Sequence, residues 1–303
     1  MHWFLIALIG PFLYACVNHT DKYLISRYVA GGKVGSLIIF SSLFGVVALP
    51  IVLLFHPQVF SVSLLTASIL TVNGMLIVFA TLLYFYALQN DEASLVVPFY
   101  QTIPIFAFIL GYFLLDETIQ LGQGIASLVI LAGALVLSFE FTGKAPRFKS
   151  SVVVLILGAS LLYAINGVVF KLITLDTGFW VSLFWGFIGK VLLGVLFFTF
   201  VRGYRNQFLS TIRENKFIVF GLNSLSEFIF IVAESVTQYA TLLAPVALVL
   251  LVNAFQPLFV FTLGVFLTLF FPKISKEKLD KRTLVQKIVG MTLIIAGSYF
   301  LGA

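Results

Sequence analysis

The sequence is poor in charged residues and has almost no cysteine. Charged side chains make up 10% of its 303 residues and hydrophobic ones 61%, whereas ordinary soluble domains carry about 25% charged residues. This shortage of charge excludes a soluble domain, and long apolar runs with short polar links call for helices in a bilayer. Cys16 has no second cysteine for a disulfide or a cysteine-based zinc site. We therefore expect an all-α, multi-pass membrane protein.

The sequence also lacks the patterns of an enzyme. It has no recognisable nucleophile–base set, metal cluster or phosphate-binding loop, so we expect no catalysis, no metal and no cofactor. Its net charge of +6 comes from Lys and Arg in the links between apolar runs, which is typical of membrane orientation rather than nucleic-acid binding. The expected partners are a small-molecule substrate and membrane lipid, with no nucleic acid. We expect a monomer or a homodimer.

Ten apolar segments have the length of about 20 residues that spans a bilayer core of about 30 Å. Turn-forming or charged residues mark the links between them. No link is long enough to hold a soluble domain. The predicted spans are residues 3–25, 34–55, 62–88, 93–115, 121–141, 151–173, 178–201, 216–241, 244–271 and 284–303.

One stretch of the chain occurs twice. Residues 86–114 align with residues 239–267 at an offset of 153, and eleven of the 29 aligned positions are identical. The identities include a Tyr-Ala pair, a proline (Pro104 and Pro257) and a glycine seven residues after each proline. Apolar composition explains chance matches of Leu, Val and Phe, but not these. The pattern indicates an internal duplication with a proline-bearing helix in each copy.

The duplication extends to most of the chain, with further matches at offsets of 149 and 164. It predicts two five-helix repeats, residues 1–142 and 151–303, joined by a cytoplasmic linker at 143–150. Because five is odd, the second repeat is inverted relative to the first. We therefore expect ten transmembrane helices as two inverted repeats around a central cavity.

The basic residues lie on one side of the predicted bundle. Of the 18 Lys and Arg, Lys171 and Lys190 are assigned to the predicted spans, and the other 18 − 2 = 16 lie in or near alternate links, with Lys22, Lys216 and Lys287 within three residues of the end of a span. The opposite side carries only Asp116, Glu117 and Asp176. The positive-inside rule places the basic side in the cytoplasm. We expect a cytoplasmic (inner) membrane protein with both termini outside the cytoplasm.

Two five-helix copies with the same proline-to-glycine spacing resemble the drug/metabolite transporter superfamily. The stretch at residues 113–137, FLLDETIQLGQGIASLVILAGALVL, is similar to the closing part of the repeat in EamA-type permeases. In the second copy Phe270 occupies the position of Glu117. The resemblance implies a central cavity lined by helices 1–4 and 6–9, peripheral helices 5 and 10, and alternating access. Termini outside the cytoplasm depart from the orientation usual in this family.

Charged residues at bilayer depth are the first candidates for a functional site, because each costs at least about 2.5–3.5 kcal/mol to insert. Lys190 lies near the middle of the seventh span and Glu227 near the middle of the eighth. Asn223, Glu227, Glu234 and Gln238 share one helical face. We expect Lys190 to bind substrate across the cavity from Glu227, with Glu227 and Glu234 in proton coupling. The alternative is a structural Lys–Glu pair that joins helices 7 and 8.

Polar residues also precede the repeated proline in each copy. Tyr100 and Gln101 do so in the first copy, and Asn253 and Gln256 in the second. Proline removes one intrahelical hydrogen bond and frees a carbonyl about one turn earlier, which supplies polar groups at membrane depth. We expect these four residues to bind substrate. The alternative is that the amides only join neighbouring helices.

Four further residues complete the expected substrate-binding set. Tyr14 and Tyr163 are repeat-equivalent and lie mid-helix, so they could face each other near the pseudo-two-fold axis. Asn73 is a polar residue of the third span. Trp185 is deep enough in the seventh span to contact a ligand, although an interfacial belt also favours tryptophan.

Two residues at the cytoplasmic end of the first helix are expected to form a gate. His19 can titrate near neutral pH, and Asp21 follows it by two residues. An interfacial cap is the alternative role for His19.

These features together predict a secondary active transporter for a small organic metabolite, an amino acid or a nucleobase-like solute, driven by protons or by exchange. Aromatic, amide and mixed Glu/Lys side chains suit an amphipathic or zwitterionic solute. A lipid-carrier or lipid flippase of the same fold is the first alternative. A non-transporting membrane scaffold is the second.

Overall fold

The structure, a computed structural model, describes residues 2–28, 34–90, 97–138, 150–214, 218–271 and 281–301, and these residues are mostly helical and include no strand. Residues 143–149 of the expected linker lie outside these ranges. The α-helices are α1 (His2–Tyr28), α2 (Val34–Phe55), α3 (Leu64–Asn90), α4 (Ile103–Leu115), α5 (Leu121–Ser138), α6 (Ser150–Thr177), α7 (Phe179–Phe200), α8 (Arg202–Glu214), α9 (Ile218–Thr241), α10 (Val246–Leu251), α11 (Gln256–Phe270) and α12 (Lys281–Leu301). Three 3-10 helices lie at Pro57–Phe60, Val97–Thr102 and Val252–Phe255.

Seven segments of the described residues are long and apolar enough to cross a membrane. Two shorter apolar helices, Phe99–Leu115 and Leu121–Leu137, coincide with the fourth and fifth predicted spans. The eighth predicted span contains α9. A multi-pass membrane protein is thereby confirmed, and the number of ten spans stays a prediction. The seven segments are His2–Asp21, Val34–Phe55, Leu64–Ala87, Ser150–Thr177, Phe179–Phe200, Val246–Phe270 and Thr283–Leu301.

Both predicted proline-bearing helices are interrupted immediately before the proline. A 3-10 helix ends at Thr102, two residues before Pro104, and another ends at Phe255, two residues before Pro257. Proline cannot donate a backbone hydrogen bond and its ring clashes with the carbonyl four residues earlier, which kinks or breaks a helix on its N-terminal side; α1 and α2 nevertheless continue through Pro11 and Pro50. The prolines therefore stand in the first turns of α4 and α11 rather than in the middle of long helices.

Helix α8 lies in the basic link after the seventh predicted span, where the sequence analysis predicted no helix. Its sequence places apolar side chains four residues apart, at Tyr204, Phe208 and Ile212, which is the spacing of one helical face. Tyr204 and Phe208 pack on the cluster around Ile38. The Gln207 side chain accepts a hydrogen bond from the backbone N–H of Gly35 at 2.9 Å. Burial raises the pKa of the Tyr204 phenol.

Most helix packing joins the first half of the chain to the second. Helix α5 packs against α12, α1 against α9, α3 against α6 and α7, and α2 against α7. Small residues line several of these contacts, as in the crossing of α5 and α12, where a Cβ on Gly133 would lie 2.8 Å from the carbonyl oxygen of Gly290. Without a hydrophobic driving force between helices in lipid, close approach of this kind supplies packing energy. The buried ion pair of Lys190 and Glu234 joins α7 and α9.

Candidate functional site

Lys190 is the buried charge around which the site is built. It lies on α7 with 8% of its surface exposed, and its ammonium donates a hydrogen bond to Glu234 Oε2 on α9, which is equally buried. The ammonium also lies 5.2 Å from the ring centre of Phe187 and 5.9 Å from that of Phe230, within cation–π range. The sequence had indicated Glu227 as the residue facing Lys190, but the ion pair is made with Glu234. The arrangement buries one positive and one negative charge together.

Glu227 lies about two turns before Glu234 on α9. Its hydrogen-bond partner is not Lys190. Its Oε2 accepts a hydrogen bond from the Ser41 hydroxyl on α2 at 2.9 Å. A first small cavity, of about 20 Å³, is lined by Glu227, Ser41 and Lys190 together with apolar side chains such as Phe230. Glu227 and Lys190 therefore line one cavity without forming an ion pair with each other.

A second small cavity, of about 20 Å³, lies beside the first, and Lys190 lines both. Glu234, Asn73, Asn166 and Gln238 contribute the other polar groups of its wall. Asn73 donates to the backbone carbonyl of Asn166 at 3.1 Å and Asn166 donates to that of Asn73 at 3.0 Å. Gln238 donates to the Asn166 side-chain oxygen at 2.9 Å. These bonds join α3, α6 and α9.

Asn166 is a site residue that sequence reasoning missed. It lies in an apolar span and its equivalent in the first copy, at the offset of 149, is Val17. The signal in the sequence is an amide inside the apolar span 151–173, because a buried amide must find hydrogen-bond partners; in the structure Asn166 is buried, with 6% exposed.

The expected tyrosines lie on either side of the charged residues. Tyr163 on α6 exchanges a hydrogen bond with the Thr81 hydroxyl at 3.0 Å, and its ring centre lies 5.6 Å from that of Tyr100. Tyr100 in turn packs on Tyr84 at 4.9 Å. Tyr14 on α1 packs on Phe230, the aromatic wall of the first cavity, at 5.5 Å. The structure thus brings Tyr100 and Tyr163 together and places Tyr14 behind the first cavity.

His19 and Asp21, the expected gate residues, connect α1 to other helices. The His19 Nε2 donates to the backbone carbonyl of Val260 on α11 at 2.9 Å. Asp21 Oδ1 accepts from the Ser226 hydroxyl, next to Glu227 on α9, at 2.7 Å. These two hydrogen bonds join α1 to α11 and α9 in the second half of the chain.

The remaining expected residues lie away from the two cavities. The Trp185 indole N–H donates to the backbone carbonyl of Val59 at 2.9 Å, and its ring packs on Phe60 and Phe184. Gln101 and Asn253 lie in the 3-10 helices before the prolines, and Gln256 begins α11. These three are half-buried.

Glu117 forms a second ion pair. Its Oε1 accepts from the Lys171 ammonium at 2.6 Å, and its Oε2 accepts from the backbone N–H of Val246 at 2.8 Å. Lys171 also donates to the carbonyl of Ala244 at 2.8 Å. These bonds satisfy backbone groups that the start of α10 leaves unpaired. They fix the link after α4 to α6 and α10, so these two charges have a packing role.

Across its described residues the chain is helical without strands, has seven apolar segments of spanning length and holds paired charges in its interior, which together define a multi-pass membrane protein. Residues 1–139 match the EamA-like transporter family, which confirms the resemblance to the drug/metabolite transporter superfamily. The match covers the first predicted repeat, the one that carries Glu117.

The fold is shared with solved structures. Among the chains of solved structures, 26 match this one. One of them, described as "Crystal structure of protein", superposes with a TM-score of 0.67 over 99% of this chain and 96% of its own length, at 13% sequence identity. At that identity the likeness shows the fold alone. No curated protein matches the sequence.

Proposed function

We propose that this protein is a secondary active transporter that moves a small organic metabolite across the cytoplasmic membrane by alternating access. One observation carries the proposal: Lys190 lies between two cavities, paired with Glu234 in one and facing Glu227 in the other. Ionisable groups inside a membrane are costly to keep, and they mark substrate and proton pathways. The match of residues 1–139 to a transporter family supports the same function.

The proposed architecture is ten transmembrane helices in two inverted repeats, residues 1–142 and 151–303, around a central cavity. Two observations support it. The 3-10 interruptions stand at equivalent positions before Pro104 and Pro257. The strongest packing pairs also join one half of the chain to the other, as two interlocked copies would.

In this proposal Glu227 carries the coupled proton. In a medium of low dielectric constant the charged form of a carboxyl group costs much more free energy than the neutral form. Such a group can therefore bind a proton while the cavity is closed to water and release it when the cavity opens. Charged groups on three helices face it: Lys190 on α7, Asp21 on α1 and Glu234 on α9. Proton transfer at Glu227 therefore changes the charge balance that holds Lys190 on Glu234.

The substrate would contact residues of both cavities and the aromatic group beside them. Tyr14, Tyr100 and Tyr163 offer rings and hydroxyl groups, and Asn73 and Lys190 offer polar groups. Gln101, Asn253 and Gln256 are proposed to contact it during the conformational change, because they adjoin the interrupted helices. The contacts of His19 and Asp21 with α11 and α9 are proposed to open at the cytoplasmic gate.

The first test is a thermal-shift screen of the purified full-length protein with amino acids, nucleobases, polyamines, sugars and lipid carriers. A ligand that binds only the folded state raises its unfolding temperature by mass action. We expect a stabilising small, soluble ligand. A shift with lipid carriers alone would favour the flippase, and no shift with any ligand would favour the scaffold.

Glu227→Gln should uncouple transport from the proton gradient. In proteoliposomes, wild-type accumulation of the ligand found by the screen should follow an imposed pH gradient, because Glu227 must load and release a proton in each cycle. The variant should still exchange ligand but should not accumulate it. Glutamine keeps the hydrogen bond from Ser41 available while it removes the titration.

Asp176→Asn is the matched control for this variant, since it removes an exposed carboxylate at the end of α6. It should respond to the gradient as the wild type does. Gradient-driven accumulation by Glu227→Gln at the wild-type level and with the wild-type pH profile would refute the proton role.

Single introduced cysteines should report the proposed orientation. After Cys16→Ser, an Asp176→Cys variant should react with a membrane-impermeant maleimide in intact cells. An Arg213→Cys variant should react only after the membrane is permeabilised, because the basic links are expected in the cytoplasm. The reverse pattern would place both termini inside the cytoplasm, as is usual in the family.

A further inference from the structure

One face of α8 carries three arginines and two apolar side chains. Arg202, Arg205, Leu209 and Ile212 follow one another at steps of three or four residues, and Arg213 lies four residues after Leu209. With about 3.6 residues per turn, these positions fall within about 100° of the helix circumference. Arg205 is half-buried and the others are exposed. This face of α8 is therefore basic and apolar at once.

The opposite face of α8 holds the helix on the bundle. Tyr204 and Phe208 pack on the cluster around Ile38, and the Tyr204 phenol forms a hydrogen bond with the Tyr86 phenol on α3. A Cβ on Gly35 would lie 2.6 Å from the Cα of Tyr204, so the backbone of α8 lies directly against the first turn of α2. The arginine face therefore points away from the rest of the protein.

The contacts of α8 place it at the level of the membrane surface. It begins two residues after α7 ends at Phe200, and it touches the first turn of α2 at Gly35. Both α2 and α7 are segments of spanning length, so their ends mark the edge of the bilayer core. A helix of 13 residues is about 20 Å long, which is too short to cross a core of about 30 Å. Helix α8 therefore lies along the surface.

The positive charge of this face is not compensated within the protein. Among the side chains that the structure describes, none of the three guanidinium groups forms an ion pair or a hydrogen bond. The acidic residue of α8, Glu214, stands at its last position. A guanidinium group binds phosphate oxygens through two parallel hydrogen bonds. The face is therefore complementary to a surface of phosphate groups.

The apolar side chains of the same face distinguish a lipid surface from a soluble polyanion. Leu209 and Ile212 are 36% and 40% exposed and lie between the arginines. Against a soluble phosphate compound they would stay in water. A surface helix with basic and apolar side chains instead buries the apolar ones at the boundary of headgroups and acyl chains. Charge and apolar exposure together favour anionic phospholipid.

We propose that α8 binds anionic phospholipids, with Arg202, Arg205 and Arg213 on their phosphate groups and Leu209 and Ile212 among their acyl chains. Arginine suits this position because its aliphatic stem can lie along apolar surface while its charge stays at headgroup level. The inference does not depend on the transport function. Because α8 contacts α2, α3 and α7, bound lipid stabilises one end of the bundle.

Native mass spectrometry of the full-length protein in detergent tests the proposal, by titration with phosphatidylglycerol or with phosphatidylcholine of the same acyl chains. The wild type should bind the anionic lipid about tenfold more tightly or better, because each basic residue close to an anionic surface contributes about fivefold. The preference should shrink as the ionic strength rises. Equal affinity for the two lipids would overturn the proposal. Displacement of phosphatidylglycerol by an equal concentration of glycerol phosphate, which has no acyl chains, would also overturn it.

A variant with glutamine in place of all three arginines of α8 assigns the binding to this helix. It should lose the preference for phosphatidylglycerol and bind phosphatidylcholine as the wild type does. The matched control is Lys144→Gln/Arg147→Gln/Lys149→Gln, which removes the same number of charges from the basic link at 143–150 and should keep the preference. Equal losses in the two variants would mean that net charge rather than α8 attracts the lipid, which would overturn the proposal.

A fluorescent reporter tests the insertion of α8 without removing any arginine. Leu209→Trp adds one tryptophan to the three of the wild type, whose fluorescence is measured separately and subtracted. In nanodiscs of phosphatidylglycerol, the added fluorescence should be quenched by lipids brominated on their acyl chains and protected from acrylamide in the water. Quenching by acrylamide without quenching by brominated lipid would place this face of α8 in water and contradict the proposal.

Discussion

Lys190→Met should lower the free energy of unfolding by about 3–5 kcal/mol, the cost of removing one partner of a buried ion pair. The ammonium of Lys190 compensates the Glu234 carboxylate, which is 8% exposed and lies deep in an apolar interior. Without it the carboxylate is left as an unpaired charge. Equilibrium unfolding in mixed detergent micelles, followed by tryptophan fluorescence, measures the loss.

The double variant Lys190→Met/Glu234→Met is the control that separates the effect of an unpaired charge on stability from the effect of altered side-chain packing. Replacing both partners of a buried pair by apolar groups is often neutral, so the double variant should be more stable than either single one. Additive losses from the two substitutions would show that the pair is not energetically coupled.

Gly189→Ala should disrupt the crossing of α3 and α7, whereas Gly186→Ala, one turn earlier on the same helix, should not. A Cβ on Gly189 would overlap the backbone carbonyl of Thr71 and come within 3.2 Å of the Cα of Gly74. A Cβ on Gly186 would meet no other atom within 4 Å. Backbone atoms cannot move aside as a flexible side chain can, so the two helices must separate.

We expect Gly189→Ala to cost about 1–3 kcal/mol or more, as overpacking of a tight interface does, and Gly186→Ala to change stability by less than about 1 kcal/mol. The unfolding measurement used for Lys190 applies to both. The second cavity should be altered as well in Gly189→Ala, because Asn73 and Gly74 line it next to the crossing. Equal stability of the two variants would mean that α3 and α7 approach less closely than the structure shows.

The buried charged residues show which part of the site could be predicted from the sequence and which part could not. Lys190 and Glu227 could be identified from the sequence because a charged residue in an apolar span is energetically costly and therefore usually has a partner or a function. The choice of Glu234 over Glu227 as the partner of Lys190 depends on how α7 and α9 cross. Helical spacing places both carboxylates on one face, so the spacing could not decide between them.

Trp185 and α8 are two further cases in which the sequence supplied only part of the structural answer. The depth of Trp185 in its span was evident, but its direction was not, and the indole turns to the backbone of Val59 rather than to a cavity. The apolar spacing of Tyr204, Phe208 and Ile212 was readable from the sequence. It was overlooked because the segment is short and rich in arginine.

The amino-acid sequence alone determined that this is a helical membrane protein, because apolar runs of spanning length have no other way to satisfy their backbone in lipid. It also placed the repeated Pro104 and Pro257 in two apolar spans, but the interruption of both helices before these prolines came from the structure, since α1 and α2 continue through Pro11 and Pro50. Only the tertiary structure decided which buried groups meet. Lys190 with Glu234, Asn166 with Asn73, and Glu117 with Lys171 are contacts between helices far apart in the chain, and their geometry depends on helix crossings that no local pattern encodes.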